Sequence, residues 1–230
     1  MNTESFHYRP PFRSRSEAAR LLAAQLRAYA NRPDAVVLAL PRGGVPVGAE
    51  IADVLNLPLQ VFAVRKLGVP GREELAMGAV TVGGKTLINR AVTIALHIPE
   101  DEIQMEVEQE LRELARRERL YCRGQKFPDL KGKLVILTDD GIATGSTMLL
   151  AAQVLRAEGA AYIVIAVPVA PADAIAQLHQ VANEVVCLAT PEPFEAVGQW
   201  YEDFHQVTDR EVCTILDRLF ERRRDLKSAA

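Results

Sequence analysis

The residues best suited to chemistry in this 230-residue chain are two adjacent carboxylates, Asp139 and Asp140. They follow the apolar run Leu134-Val-Ile-Leu-Thr138 and precede Gly141-Ile-Ala-Thr-Gly-Ser-Thr147. Gly141 and Gly145 permit backbone angles that other residues resist. The run is short enough for a buried strand, and Thr147 to Arg156 has helical composition. The carboxylates would then stand at the carboxyl end of a parallel strand, before a helix N-terminus whose free N–H groups attract anions. That geometry suits a sugar phosphate. A second candidate anion loop is Pro41-Arg-Gly-Gly44, where paired glycines allow close approach to the backbone and Arg42 offers a planar charged fork. Packing alone would also explain such a turn. A third is Arg65-Lys66, at the end of an apolar run; a solvated turn is its bland explanation, and its place beside the other two loops favours phosphate.

These groups need a scaffold that brings strand ends together. Residues 34–40, 59–64, 134–138, 160–167 and 184–189 read as buried strands, separated by helical stretches at about 47–55, 147–156 and 171–180. Such alternation predicts α/β architecture: an open, mainly parallel sheet with helices on both faces. Ser14-x-x-Glu17 matches a capping box and opens a first helix. Residues 99–123 read as a long helix with acidic residues first and basic residues last, which complements the helix dipole and suits a solvated face. Residues 67–85 are glycine-rich. There 79–82 and 86–89 predict a short hairpin across Gly83-Gly84, and the remainder reads as a long lid loop carrying Arg72, Glu73 and Glu74. Residues 209–224 predict a closing amphipathic helix, and Trp200, Tyr201 and Phe204 before it are expected to close the core. The chain reads as a single domain over 1–230 with its core at about 33–190. Segments 1–32 and 191–230 are expected to pack on that core or form a hood, with Phe6, Tyr8 and Phe12 docking the N-terminal arm.

Composition removes several function classes. A formal net charge of −3 argues against a surface built for duplex nucleic acid. No apolar run is long enough to span a bilayer, and the N-terminus lacks the apolar region of a secretory signal. Cys122, Cys187 and Cys213 are widely spaced and odd in number, which predicts no structural disulfide and a reducing cytoplasm. The four histidines are dispersed and are expected to serve packing or surface.

Residues Thr138 to Thr147 closely resemble the phosphoribosyl pyrophosphate motif of the type I phosphoribosyltransferases: apolar strand, two acidic residues, small-residue loop ending Thr-Gly, then helix. Arg42-Gly43 resembles that family's pyrophosphate loop, and Arg65-Lys66 the basic pair that opens its mobile catalytic loop. Residues 15–26, 65–80 and 197–212 also resemble a poorly characterised subgroup of these enzymes. The resemblance implies the family fold with a small hood and a long mobile loop, and transfer of ribose 5-phosphate from phosphoribosyl pyrophosphate to a nitrogen acceptor. It assigns the ribose hydroxyls to Asp139 and Asp140, the 5-phosphate to Thr144, Gly145, Ser146 and Thr147 in the loop that also holds Gly141, Ile142 and Ala143, and pyrophosphate to Arg42, Gly43, Gly44, Arg65 and Lys66. Glu73 or Glu74 would manage the acceptor's proton. Mg²⁺ is the implied cofactor, reached by Asp139 and Asp140 indirectly, through substrate or water. The hypoxanthine-guanine branch has a base-contacting aspartate where Ala143 stands, and Arg65-Lys-Leu-Gly-Val-Pro70 lacks the second lysine of the adenine branch, so the acceptor stays open. The implied partners are phosphoribosyl pyrophosphate and a small acceptor, with no nucleic acid and no membrane, and a homodimer is left open. A non-catalytic sensor of the same sugar phosphate, acting through a protein partner, is the alternative.

Overall fold

The computed structural model describes residues 10–81, 84–121 and 127–228. Phe6, Tyr8, Gly83 and Cys122, named above, lie outside the described residues. In chain order the elements are α1 (Arg15–Gln25), β1 (Ala35–Ala39), α2 (Gly44–Leu55), β2 (Leu59–Val61), β3 (Val64–Val69), β4 (Arg72–Thr81), β5 (Thr86–Ile88), α3 (Arg90–Ala95), α4 (Glu100–Tyr121), β6 (Leu134–Thr138), α5 (Ser146–Ala157), β7 (Tyr162–Val169), α6 (Ala172–Leu178), β8 (Glu184–Ala189) and α7 (Asp209–Ser228). The Ser14 hydroxyl accepts the Glu17 N–H at 3.3 Å and caps α1 as expected, while the Glu17 carboxylate accepts the Arg13 N–H at 2.7 Å, so the reciprocal half of the capping box is not formed.

Five strands form the central sheet in the order β2-β1-β6-β7-β8, every neighbouring pair parallel. All residues of β1 and β6 are buried, which explains their continuous apolar composition: both faces of the sheet are covered. One face packs on Leu22, Val47, Ile51, Val212 and Leu216 from α1, α2 and α7. The other packs on Met148, Ala152, Leu155 and Leu178 from α5 and α6. The open, mainly parallel sheet with helices on both faces is thus the fold, and no helix among the described residues is long and apolar enough to cross a membrane.

Residues 59–88 depart from the sequence reading. The apolar run 59–64 splits: β2 closes the parallel sheet, and Val64 already begins a second, three-stranded antiparallel sheet in the order β3-β4-β5. The hairpin of β4 and β5 is present, pairing Val80 with Thr86. What was read as a long loop is β3 and the first half of β4, turning at Pro70-Gly71. Glu73 and Glu74 therefore belong to a strand, and their side chains lie outside the described ones. Alternation is masked because the pairing is irregular at Leu67, Gly68 and Val69, and because Gly78 is required by close packing: a Cβ there would lie 2.3 Å from the Leu87 carbonyl oxygen. This ribbon packs against α4 through Leu67, Met77, Val80, Ile103, Val107 and Leu114, a satellite core of its own. The short α3 is capped by Asn89, whose side chain accepts the Val92 N–H at 3.3 Å; it was not anticipated.

The terminal segments close over the α1 side. Phe12 N donates to the Trp200 carbonyl at 2.8 Å, and the Phe12 and Tyr201 rings lie 5.7 Å apart. Phe12 and Tyr201 are core residues, with Trp200 and Phe204 packed against them. The expected docking of the arm through Phe12, and the core-closing role of these aromatics, are as read.

Candidate active site

Because β1 and β6 are neighbours and parallel, their carboxyl ends meet at one edge, where Leu40 N donates to the Thr138 carbonyl at 3.0 Å. After β1 the chain passes a cis Pro41–Arg42 peptide and enters α2 at Gly44. After β6 come Asp139, Asp140 and the loop to Gly145, which takes φ +77° as the N-cap of α5. The two loops interlock. A Cβ on Gly43 would sit 2.0 Å from Asp140 Oδ2, and one on Gly44 would sit 2.8 Å from the Thr138 carbonyl oxygen. Gly43 and Gly44 are therefore glycines because the acidic loop lies directly against them. Gly141 is similarly tight, its hypothetical Cβ 2.4 Å from Val197.

Between Gly141 and α5 the loop divides its labour. Ile142 is buried in the sheet's second core and its N–H donates to the Val169 carbonyl at 2.9 Å, so its side chain fixes the loop. Ala143, Thr144, Ser146 and Thr147 line the outer side of the loop, and the Thr144 and Ser146 hydroxyls are hydrogen-bonded at 2.9 Å. They stand beside the first-turn N–H groups of α5, which have no intrahelical acceptor and can receive an anion.

The carboxylates are crowded. Asp139 Oδ1 accepts the Asp140 N–H at 2.8 Å. Burial, then the charge of Asp140, push the Asp139 carboxyl well above the usual carboxylate range. Burial also raises Asp140, and Arg15 opposes that rise. Arg15 was missed from sequence as a site residue. It occupies the first turn of α1, where the helix dipole disfavours a cation, and that misplaced charge was the available signal. Its Nε donates to Asp140 Oδ2 at 2.7 Å, another nitrogen donates to the His205 carbonyl at 3.0 Å, and the guanidinium lies 3.9 Å over the Phe204 ring. Tyr201 donates its hydroxyl to the Asp140 carbonyl at 2.5 Å.

The basic candidates are present but engaged. Arg42 lies 3.7 Å from Asp209 at the start of α7, and Asp209 also accepts from the Tyr121 hydroxyl at 2.6 Å. Arg65 makes a two-pronged pair with Glu110 of α4, one contact at 3.1 Å. A polar cleft of about 550 Å³ joins Arg65, Lys66 and Gly68 of the ribbon to Glu106 and Glu110 of α4 and to Thr147 at the start of α5. The structure thus brings Gly43 and Gly44 to the acidic pair and Arg65 and Lys66 to Thr147, while Arg42 turns to Asp209.

Two glycine-bearing loops thus lock together at the carboxyl edge of a parallel α/β sheet, with the paired carboxylates of Asp139 and Asp140 beside them. The model of the phosphoribosyl transferase domain matches residues 13–203, and the chain belongs to that family. A Mycobacterium tuberculosis (strain H37Rv) protein provisionally named a phosphoribosyl transferase is 45% identical over 207 residues, covering 90% of this chain and 46% of its own. The chain therefore spans about half the length of the curated relatives it matches. The crystal structure of TT1426 from Thermus thermophilus superposes with a TM-score of 0.81 at 40% identity, covering 89% of this chain and 97% of that one.

Proposed function

We propose that this chain moves ribose 5-phosphate from phosphoribosyl pyrophosphate to a nitrogen acceptor, a nucleobase, in the cytoplasm. The observation that carries this reading is the interlock of the two loops, in which Gly43 lies so close to Asp140 that any side chain would collide with the carboxylate. A ribose held by the aspartates would place its 5-phosphate on residues 144–147 and its pyrophosphate over the Arg42-Gly43 turn. In the reaction the acceptor nitrogen bonds to ribose C1 as the C1–oxygen bond to pyrophosphate breaks, and the acceptor gives up a proton. Arg42, Arg65 and Lys66 are assigned the leaving charge. Glu73 or Glu74 is assigned the proton, on chain position alone.

Mg²⁺ fits the donor set in one way. No cluster of three or more metal-ligating side chains exists among the described residues, so a protein cage is absent there. Two neighbouring carboxylates whose proton affinity is raised by burial, and for Asp139 by its neighbour's charge, favour a nearby cation. Asp139 and Asp140 would hold Mg²⁺ through substrate or water, as this ion prefers. Bound there, it would neutralise phosphate charge.

One observation favours the sensor reading: both Arg42 and Arg65 already hold carboxylates of the chain, so ligand binding could be read out through α4 and α7 without turnover. Calorimetry with phosphoribosyl pyrophosphate and Mg²⁺, followed by pyrophosphate release across a panel of purine, pyrimidine and pyridine bases, separates the two. Release with any base is the expected result. Tight binding without release on every base would support the sensor, and no binding at all would overturn both.

A further inference from the structure

Asp139 and Asp140 carry four carboxylate oxygens between them, and N–H donors among the described residues reach two of them. Asp139 Oδ1 accepts the Asp140 N–H. Asp140 Oδ2 accepts from Arg15, and Gly43 lies against the same carboxylate, where an added Cβ would fall 2.0 Å from Oδ2 and 2.8 Å from Oδ1. No N–H donor among the described residues other than these is bonded to the pair, the two carboxyl groups meet each other, and both residues remain partly open to solvent. These N–H donors leave one oxygen on each of two neighbouring residues.

Arg15 is fixed in its task. It is 7% exposed, stacked on Phe204 and bonded to the His205 carbonyl, so its fork cannot wander as a surface arginine would. Tyr201 holds the same aspartate by its backbone carbonyl. The carboxylate of Asp140 is therefore clamped in one orientation by the N- and C-terminal segments.

We propose that Arg15 is a positioning and specificity-determining residue of the sugar site: by occupying Asp140 Oδ2 it presents one oxygen of each aspartate to a vicinal diol. This rests on the phosphoribosyl reading above. A ribose offers two neighbouring hydroxyls, one for each oxygen. A 2-deoxy sugar offers one and leaves a half-buried carboxylate oxygen unmatched, which a site built for hydroxyl donors penalises. Without Arg15, the Asp140 carboxylate can turn, both of its oxygens become available, and discrimination between the two sugars falls.

The test is calorimetry in Mg²⁺ with ribose 5-phosphate, 2-deoxyribose 5-phosphate and inorganic pyrophosphate, on the full chain and on Arg15→Lys and Arg15→Gln. The unaltered chain is expected to prefer the ribose sugar by about tenfold or more. In both variants ribose 5-phosphate should weaken by about fivefold or more and the ribose-to-deoxyribose ratio should shrink, with pyrophosphate affinity held within about twofold. Retained pyrophosphate binding marks a folded protein, and Arg15→Lys, which keeps the counter-charge, decides the matter where Arg15→Gln does not fold. Unchanged sugar affinity and ratio in a variant that binds pyrophosphate overturns the role of Arg15. Failure of the unaltered chain to bind ribose 5-phosphate overturns the sugar site itself.

Discussion

Gly43→Ala is the sharpest single perturbation of this site, because the structure states what the added methyl would strike. Its Cβ would lie 2.0 Å from Asp140 Oδ2, 2.5 Å from Cγ and 2.8 Å from Oδ1, whereas real Cβ atoms essentially never come under 3.0 Å. The collision is with a carboxylate already pinned by Arg15 at 2.7 Å. Relief requires moving either that ion pair or the turn after β1. Overpacking of this kind costs about 1–3 kcal/mol. For a chain of this size each kcal/mol lowers Tm by about 2–4 °C, so a loss of about 2–12 °C is expected in a thermal melt. The same displacement misaligns Asp140 for the sugar, and calorimetry should show affinity for phosphoribosyl pyrophosphate falling by more than about tenfold. Gly132→Ala supplies the contrast. Its Cβ would meet nothing within 4 Å, although φ is +73°, and it lies before β6, at the sheet edge away from the carboxylates. It should lower Tm by strain alone and leave sugar affinity unchanged. Equal sugar affinity in Gly43→Ala and the unaltered chain would refute the interlocked-loop site.

Asp140→Asn removes one charge from the diol-facing pair and should weaken phosphoribosyl pyrophosphate binding by about tenfold or more, about 1.4 kcal/mol, measured by calorimetry; unchanged affinity would move the sugar elsewhere. Thr81 is fully buried in β4 and its hydroxyl has no partner among the described residues, so Thr81→Val should raise stability by about 1 kcal/mol in urea unfolding, and a loss would mean that the hydroxyl is bonded. Burial pushes the Cys187 thiol up to about 11. Its side chain is partly exposed, so the raised pKa is what should protect it: peptide mapping after alkylation of the native protein at pH 8 should find Cys187 labelled slowly, and rapid labelling would contradict the raised pKa.

What could be read from sequence was what local composition determines. The buried strands β1, β6 and β7 are continuous apolar runs because both faces of the sheet are covered, and the acidic loop sits where strand composition gives way to helix. Gly43 and Gly44 were legible as a turn, but their reason was not, since the atom Gly43 must avoid belongs to Asp140, far along the chain. Arg15 was marked in sequence only as a cation in the first turn of α1, and its role was not legible, since it meets its partner across 125 residues. The β3-β4 ribbon was hidden because its pairing is irregular around Gly68 and its glycines erase the alternation that marks a strand.

Helix α4 makes the limit clearest. Its charge gradient reads as a solvated helix matched to its own dipole, and for Glu100 and Glu108, both exposed, nothing more is needed. Glu110 has the same residue type and lies on the same helix, yet it is 8% exposed and clasps Arg65. Burying a carboxylate is costly unless a cation meets it, and Arg65 does so here, so the ribbon and α4 are joined by an ion pair as well as by the satellite core. Arg116 of the same helix lies 3.8 Å from Asp209, the partner of Arg42. Both arginines assigned to pyrophosphate thus reach α4, one directly and one through α7. A pyrophosphate that binds them must share or displace carboxylates held by this helix. Its arrival would then be felt along α4 at two points about two turns apart, which makes α4 the element whose position the leaving group should most strongly alter.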